Sequence, residues 1–220
     1  PPHPRPGSPA TRLDPPPAPH PLATRQRHDP RLDGHSDVGR ADRPCLRFLY
    51  LKNSDLSGPA GSPTSIGNLS LLETFDCFNC RLEGTIPPQL GQLTNLKKLF
   101  LEFNNLEGTI PTQLGSMASL EWLHLYDNFL VGEIPSELGQ ISTLVRIKLY
   151  NTQLVGEIPV SFGGLPNLEI LNLHTNRLVG EIPVELGGLG NLEELNLHSN
   201  GFTGEIPVVF GSLQSLITLD

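Results

Sequence analysis

Leu120–Thr143, LEWLHLYDNFLVGEIPSELGQIST, holds the pattern on which the fold turns. Leu123 and Leu125 alternate with His124, the period-two mark of a short strand with one buried face. Asn128, Leu130, Gly132, Ile134 and Pro135 then turn the chain, and Leu138, Gly139 and Ile141 fit a short helical or 3₁₀ return. The same register comes back every 24 residues, at Leu72, Leu96, Leu120, Leu144, Leu168, Leu192 and Leu216. A fixed period of this size belongs to a solenoid, in which each repeat stacks on its neighbours. Stacking is compulsory, because one repeat buries too few apolar side chains to offset the ordering of its own backbone.

Six repeats of this length cover residues 72–215 without an insertion, and residues 216–220 begin an eighth. Residues 46–71 read as an irregular first repeat. There Gly58-Pro59-Ala60-Gly61-Ser62-Pro63 replaces the usual turn and adds two residues, which should bulge on the convex side and spare the strand. Stacked repeats place equivalent residues in columns about 4.8 Å apart. Asn104, Asn128, Asn176 and Asn200 share one column, where an inward amide can satisfy turn backbone groups. Gly84, Gly108, Gly132, Gly156, Gly180 and Gly204 share another, where a positive φ or a close approach is expected.

Outside the repeats the composition changes. Residues 1–44 hold 12 of the 22 prolines and almost no large apolar side chain, which predicts a disordered, partly polyproline II tail. Residues 45–220 carry eight basic against 18 acidic residues. That balance argues against general affinity for nucleic acid or anionic lipid, both of which call for clustered Lys and Arg. No apolar run is long enough to span a membrane, and no secretory signal opens the chain. The chain starts on Pro1 rather than Met and stops five residues into a repeat, so it reads as a piece of a longer protein.

The pattern LxxLxLxxNxLxGxIPxxLGxL, matched by six consecutive full-length repeats with Cys80 and Thr152 in place of Asn in two of them, resembles the plant-type leucine-rich repeat over residues 46–220. The resemblance implies an α/β solenoid, a horseshoe with a parallel β-sheet on the concave face and short 3₁₀ or helical returns on the convex face. It also implies a second small strand at each LxGxIP segment, and recognition of a protein or peptide on the inner face. Such repeats are typical of the ectodomains of receptor-like kinases and receptor-like proteins and of polygalacturonase inhibitors. Those ectodomains begin with a capping segment carrying a Cys pair and a Trp; here Cys45 alone precedes the first repeat.

Binding residues should lie on the concave strands, pointing away from the core. Phe78, Lys98, Phe100, Phe103, Trp122, His124, Tyr126, Asp127, Arg146, Lys148 and Tyr150 form an aromatic and basic cluster there, on adjacent repeats. The scaffold requires inward leucines and has no use for outward rings, whereas aromatics with Arg are the usual makeup of a binding hot spot. Glu102, His174 and His198 also point outward from the concave sheet, and the two histidines read as ordinary surface polar residues.

Other motifs carry less. Glu133, Glu157, Glu181 and Glu205 form a column of like charges that reads as a solvated rim. Cys77 and Cys80 have metal-ligand spacing but no second pair, so two buried structural thiols are expected. Asn68-Leu69-Ser70 is an N-glycosylation sequon on the convex return. No catalytic triad, phosphate loop or kinase motif is present, and neither a cofactor nor a metal is expected. The expected function is recognition of a protein or peptide ligand, with a co-receptor as second partner, at the cell surface or outside the cell. A secreted inhibitor of a cell-wall-degrading enzyme and an intracellular scaffold are the alternatives.

Overall fold

The computed structural model of the chain describes residues 46–56 and 64–220. The Pro-rich tail, Cys45 and the Gly58–Pro63 insertion lie outside the described residues. Fourteen short strands follow one another there: β1 Phe48–Tyr50, β2 Thr74–Asp76, β3 Glu83–Thr85, β4 Lys98–Phe100, β5 Asn105–Gly108, β6 Trp122–His124, β7 Phe129–Glu133, β8 Arg146–Lys148, β9 Gln153–Gly156, β10 Ile170–Asn172, β11 Arg177–Glu181, β12 Glu194–Asn196, β13 Gly201–Thr203 and β14 Thr218–Leu219.

They form two parallel sheets. The front, concave sheet runs β1-β2-β4-β6-β8-β10-β12-β14. The second runs β13-β11-β9-β7-β5-β3 and is the small sheet that the LxGxIP segments implied. Trp122 pairs with Arg146 and Lys98 with Trp122, one repeat apart. Phe48 nevertheless pairs with Thr74, so the two extra residues of the first repeat are absorbed outside the strand, which stays in register. Among the described residues seven 3₁₀ turns close the back, including Pro88–Gln92, Ser136–Gln140 and Val160–Gly164.

Between the layers one continuous apolar core runs from Ile66 to Leu213. Its polar seam is the asparagine column. Asn104 accepts from the N–H groups of Cys80 and Leu82 and donates to the carbonyls of Cys77 and Leu101, all at 2.9 Å. Asn128, Asn176 and Asn200 repeat the arrangement, each tying its own repeat to the one before. The amide thus satisfies buried backbone groups that the short strands leave over.

The second sheet explains the turn glycines. Gly108 has φ +74, and a Cβ there would lie 2.9 Å from Thr85 Cγ2. At Gly156 the corresponding neighbour is the Cγ of Glu133, also at 2.9 Å, so the glutamates lay their stems over the glycines and keep their carboxylates in solvent. That is the solvated rim expected from the sequence. Left-handed backbone is not confined to glycine, however. Asn53, Asn79, Phe103, Asp127, Asn151, Thr175 and Ser199 all have φ between 50° and 58°. Each sits just before the asparagine column and breaks the strand so that the next side chain turns inward. Asn and Asp tolerate this conformation; Phe103 and Thr175 hold it at a local cost.

Cys77 and Cys80 are free thiols buried in the core, and Cys80 Sγ donates to the Leu51 carbonyl at 3.0 Å. Burial pushes the Cys77 thiol up, which keeps it protonated. Both are structural, as expected. Among the described residues no helix is long and apolar enough to cross a membrane.

Candidate functional site

Three rows of side chains cross the concave sheet, and the strand register fixes who meets whom. In the first row, Lys98 and Arg146 flank Trp122 from the two neighbouring strands. Lys98 Nζ lies 4.1 Å from the Trp122 ring centroid and the Arg146 guanidinium carbon 4.5 Å from it. The indole is therefore held between two cations, which its π faces attract. In the second row Phe100, His124 and Lys148 are register partners, with Phe100 and His124 rings 4.9 Å apart.

The third row, just past the strand ends, is a ladder of rings. Tyr126 stacks on Tyr150 at 4.2 Å, Tyr150 on His174 at 4.4 Å and His174 on His198 at 4.4 Å. Parallel strands at about 4.8 Å spacing place identical positions at stacking distance, so planar side chains in one column must lie face to face. At the other end Phe103 meets Tyr126 edge-on at 5.5 Å and Phe78 at 5.2 Å. Asp127 accepts from the Asn151 amide beside this ladder.

All eleven residues singled out from the sequence thus share one face, and Asn68 lies exposed at the end of the Thr64–Asn68 turn on the convex side. Their exposure departs from expectation in one respect. Phe78, Lys98, Phe100, Trp122, His124, Tyr126, Arg146, Lys148 and Tyr150 are half-buried, because they cover one another; Phe103, at 46%, is exposed. Glu102, placed by the sequence among the outward residues of this face, is buried among them with 9% of its side chain exposed. Nothing in the repeat pattern signals that, since Glu102 occupies the same outward position as Tyr126.

Electrostatics follows the same packing. Burial raises both tyrosine hydroxyls above the usual phenol range, so Tyr126 and Tyr150 remain neutral donors. Burial, reinforced by the neighbouring His198, lowers the His174 imidazole below its ordinary 6.5. The folded chain therefore resists a proton that the unfolded chain accepts, and stability falls as the pH drops below 6.5. Between about pH 7 and about pH 5 the thermal midpoint should decline. His174→Tyr, which continues the tyrosine column, should shallow that decline; an unchanged slope would show that the stacked imidazole is not its source. On the flank, Arg47 bonds Glu73, with Lys97 at 3.4 Å, and the Arg47 contact holds the Glu73 carboxyl below the usual range.

Comparisons with known proteins agree with this architecture. Family models for the leucine-rich repeat match residues 142–202 and, repeat by repeat, residues 71–93, 95–117 and 119–141, which together exceed half the chain. Among solved structures, PEPR1–AtPEP1 superposes with a TM-score of 0.77 and 39% identity, over 80% of this chain and 24% of that one. The leucine-rich repeat ectodomain of the plant membrane receptor kinase GASSHO1/SCHENGEN3 from Arabidopsis thaliana, in complex with CASPARIAN STRIP INTEGRITY FACTOR 2, gives 0.67 and 36%, over 80% and 24%. The Arabidopsis receptor kinase HAESA, in complex with the peptide hormone IDA and the co-receptor SERK1, gives 0.62 and 31%, over 78% and 33%. The chain spans a quarter to a third of the length of these proteins. Among curated proteins no sequence matches. Repeat pattern, parallel concave sheet, asparagine ladder and family match all concur: the chain belongs to the leucine-rich repeat family, in its plant-type form.

Proposed function

We propose that this chain is a recognition module that binds a protein or peptide segment along its concave face, as part of a receptor-like protein at the cell surface. The observation that carries the reading is the Lys98–Trp122–Arg146 sandwich at the centre of a continuous ring cluster. The core is complete without any of these side chains, and hot spots are enriched in Trp, Tyr and Arg. The kinship with plant receptors solved in complex with peptide hormones supports it. On the same reading a co-receptor is a second partner. Asn68 is then the acceptor for a glycan, which the mass of the secreted chain would reveal.

The test is a peptide-display selection on the full chain, followed by affinity measurement on the selected sequences. Trp122→Ala should weaken binding by about 30-fold or more, the size of a hot-spot truncation. It should cost under about 1 kcal/mol of stability, because the ring packs on surface side chains alone. Val184→Ala, on the exposed convex side, serves as control and should change neither. Undiminished binding by Trp122→Ala would defeat the concave-face reading, and so would a loss of binding that merely tracks a loss of folding.

A further inference from the structure

Beneath the ring cluster lies a pair of polar groups that the fold does not use. Glu102, just past the end of β4, faces His124 of β6, with His124 Nδ1 3.8 Å from Glu102 Oε1. Their side chains retain only 9% and 12% of their exposure. Glu102 Oε2 and His124 Nε2 are fully buried, and neither has a hydrogen-bond partner among the described residues. Such atoms cost stability while they remain unpaired. Both belong to outward positions of the sheet, so only neighbouring side chains of the same face cover them, and those can change rotamer on a fast timescale.

We propose that this pair is a subsite for an arginine side chain of the bound segment, a proposal that rests on the concave-face reading above. The carboxylate beside Nδ1 favours the imidazole proton on that nitrogen, which leaves Nε2, like Glu102 Oε2, as an acceptor. Two buried acceptors call for a group with several donors, and a guanidinium offers five in one plane. The surrounding walls are aromatic: the centroids of Phe100, Tyr126 and Trp122 lie 4.9, 5.9 and 6.2 Å from that of His124. Such faces suit a planar, weakly hydrated cation better than a compact ammonium. Of the cations nearby, Lys98 and Arg146 are held on Trp122, and Arg146 reaches Glu169 at 3.8 Å with its buried Nε left without a hydrogen-bond partner, so neither fills the pair. Lys148, the register partner of His124, opposes any cationic guest, so the Glu102 carboxylate and the ring faces must outweigh that repulsion. The acidity of the repeat region, eight basic against 18 acidic residues, steers basic segments towards the surface.

Two bead-bound peptide libraries, identical except for a central arginine or a central citrulline of the same shape and no charge, provide the test. The full chain should be retained about tenfold better by the arginine library, as expected when one partner of a buried charge pair is neutralised. Glu102→Gln should erase that preference while its thermal midpoint stays at or above that of the parent, because an unpaired buried carboxylate has been removed. Equal retention by both libraries, retention by neither, or an arginine preference that survives Glu102→Gln overturns the subsite. If Glu102→Gln keeps its preference while Trp122→Ala loses both libraries, the subsite falls and the concave-face reading stands. If Trp122→Ala holds both libraries as the parent does, that reading falls.

Discussion

Asn104→Ala is expected to destabilise the chain by about 4 kcal/mol, because it strands several buried backbone groups at once. The side chain accepts from two backbone N–H groups, those of Cys80 and Leu82, and donates to the carbonyls of Cys77 and Leu101. Alanine leaves room for nothing that replaces those bonds, and the site is too buried for solvent to do so. Three of the four partners, Cys77, Cys80 and Leu82, belong to the preceding repeat, so most of the loss falls on one interface of a stack whose stability is a sum over interfaces. Urea unfolding followed by circular dichroism should show the midpoint shift, with the repeats before Leu96 melting first. Asn95 is the internal comparison. It donates to the Ser70 carbonyl at 2.8 Å from an exposed site, where water can take over, so Asn95→Ala should cost less than about 1 kcal/mol. Equal costs at the two positions would refute the ladder as a principal source of stability.

A second large effect is expected on the convex side. Gly163→Ala should cost about 3 kcal/mol, the upper range for overpacking a rigid contact. A Cβ at Gly163 would meet the Glu185 carbonyl oxygen at 2.4 Å and its carbon at 2.5 Å, and backbone of the next return cannot swing aside as a side chain would. The same close approach recurs one repeat apart at Gly91 on Gln113 and at Gly115 on Glu137. Each such glycine lets adjacent 3₁₀ turns nest, and nesting sets how tightly the back of the solenoid closes. Gly164, its neighbour in the chain, has nothing within 4 Å of a built Cβ. Gly164→Ala should therefore be neutral, or stabilising by up to about 1 kcal/mol through a stiffer unfolded chain. Thermal unfolding of the two variants side by side checks this, and indistinguishable midpoints would sink it.

These two residues show where the sequence was legible. The role of Asn104 follows from its spacing, since an amide recurring at 24 residues in the turn after a strand has one inward environment to occupy. The turn glycines at Gly108 and Gly156 were legible for the same reason. Gly163 was not, because its constraint comes from a carbonyl 22 residues away in the next coil, and the spacing of the pattern does not state how closely two coils approach. Phe103 and Thr175 are a similar case: their side chains give no hint of left-handed backbone, which the turn before the asparagine column imposes on whatever residue stands there.

The candidate site divides along the same line. Which residues face outward was determined by alternation within the strand, so Trp122, His124, Tyr126, Arg146 and Lys148 could be placed together from their numbers alone. Which of them touch, and which are hidden, depends on side-chain length and ring orientation across neighbouring strands. Only the tertiary structure decided that Trp122 lies between two cations, that four rings stack from Tyr126 to His198, and that Glu102 is covered with one oxygen unpaired. The physical reason is range: a repeat pattern encodes contacts that are the same in every coil, whereas the binding face is built from the positions where successive coils differ.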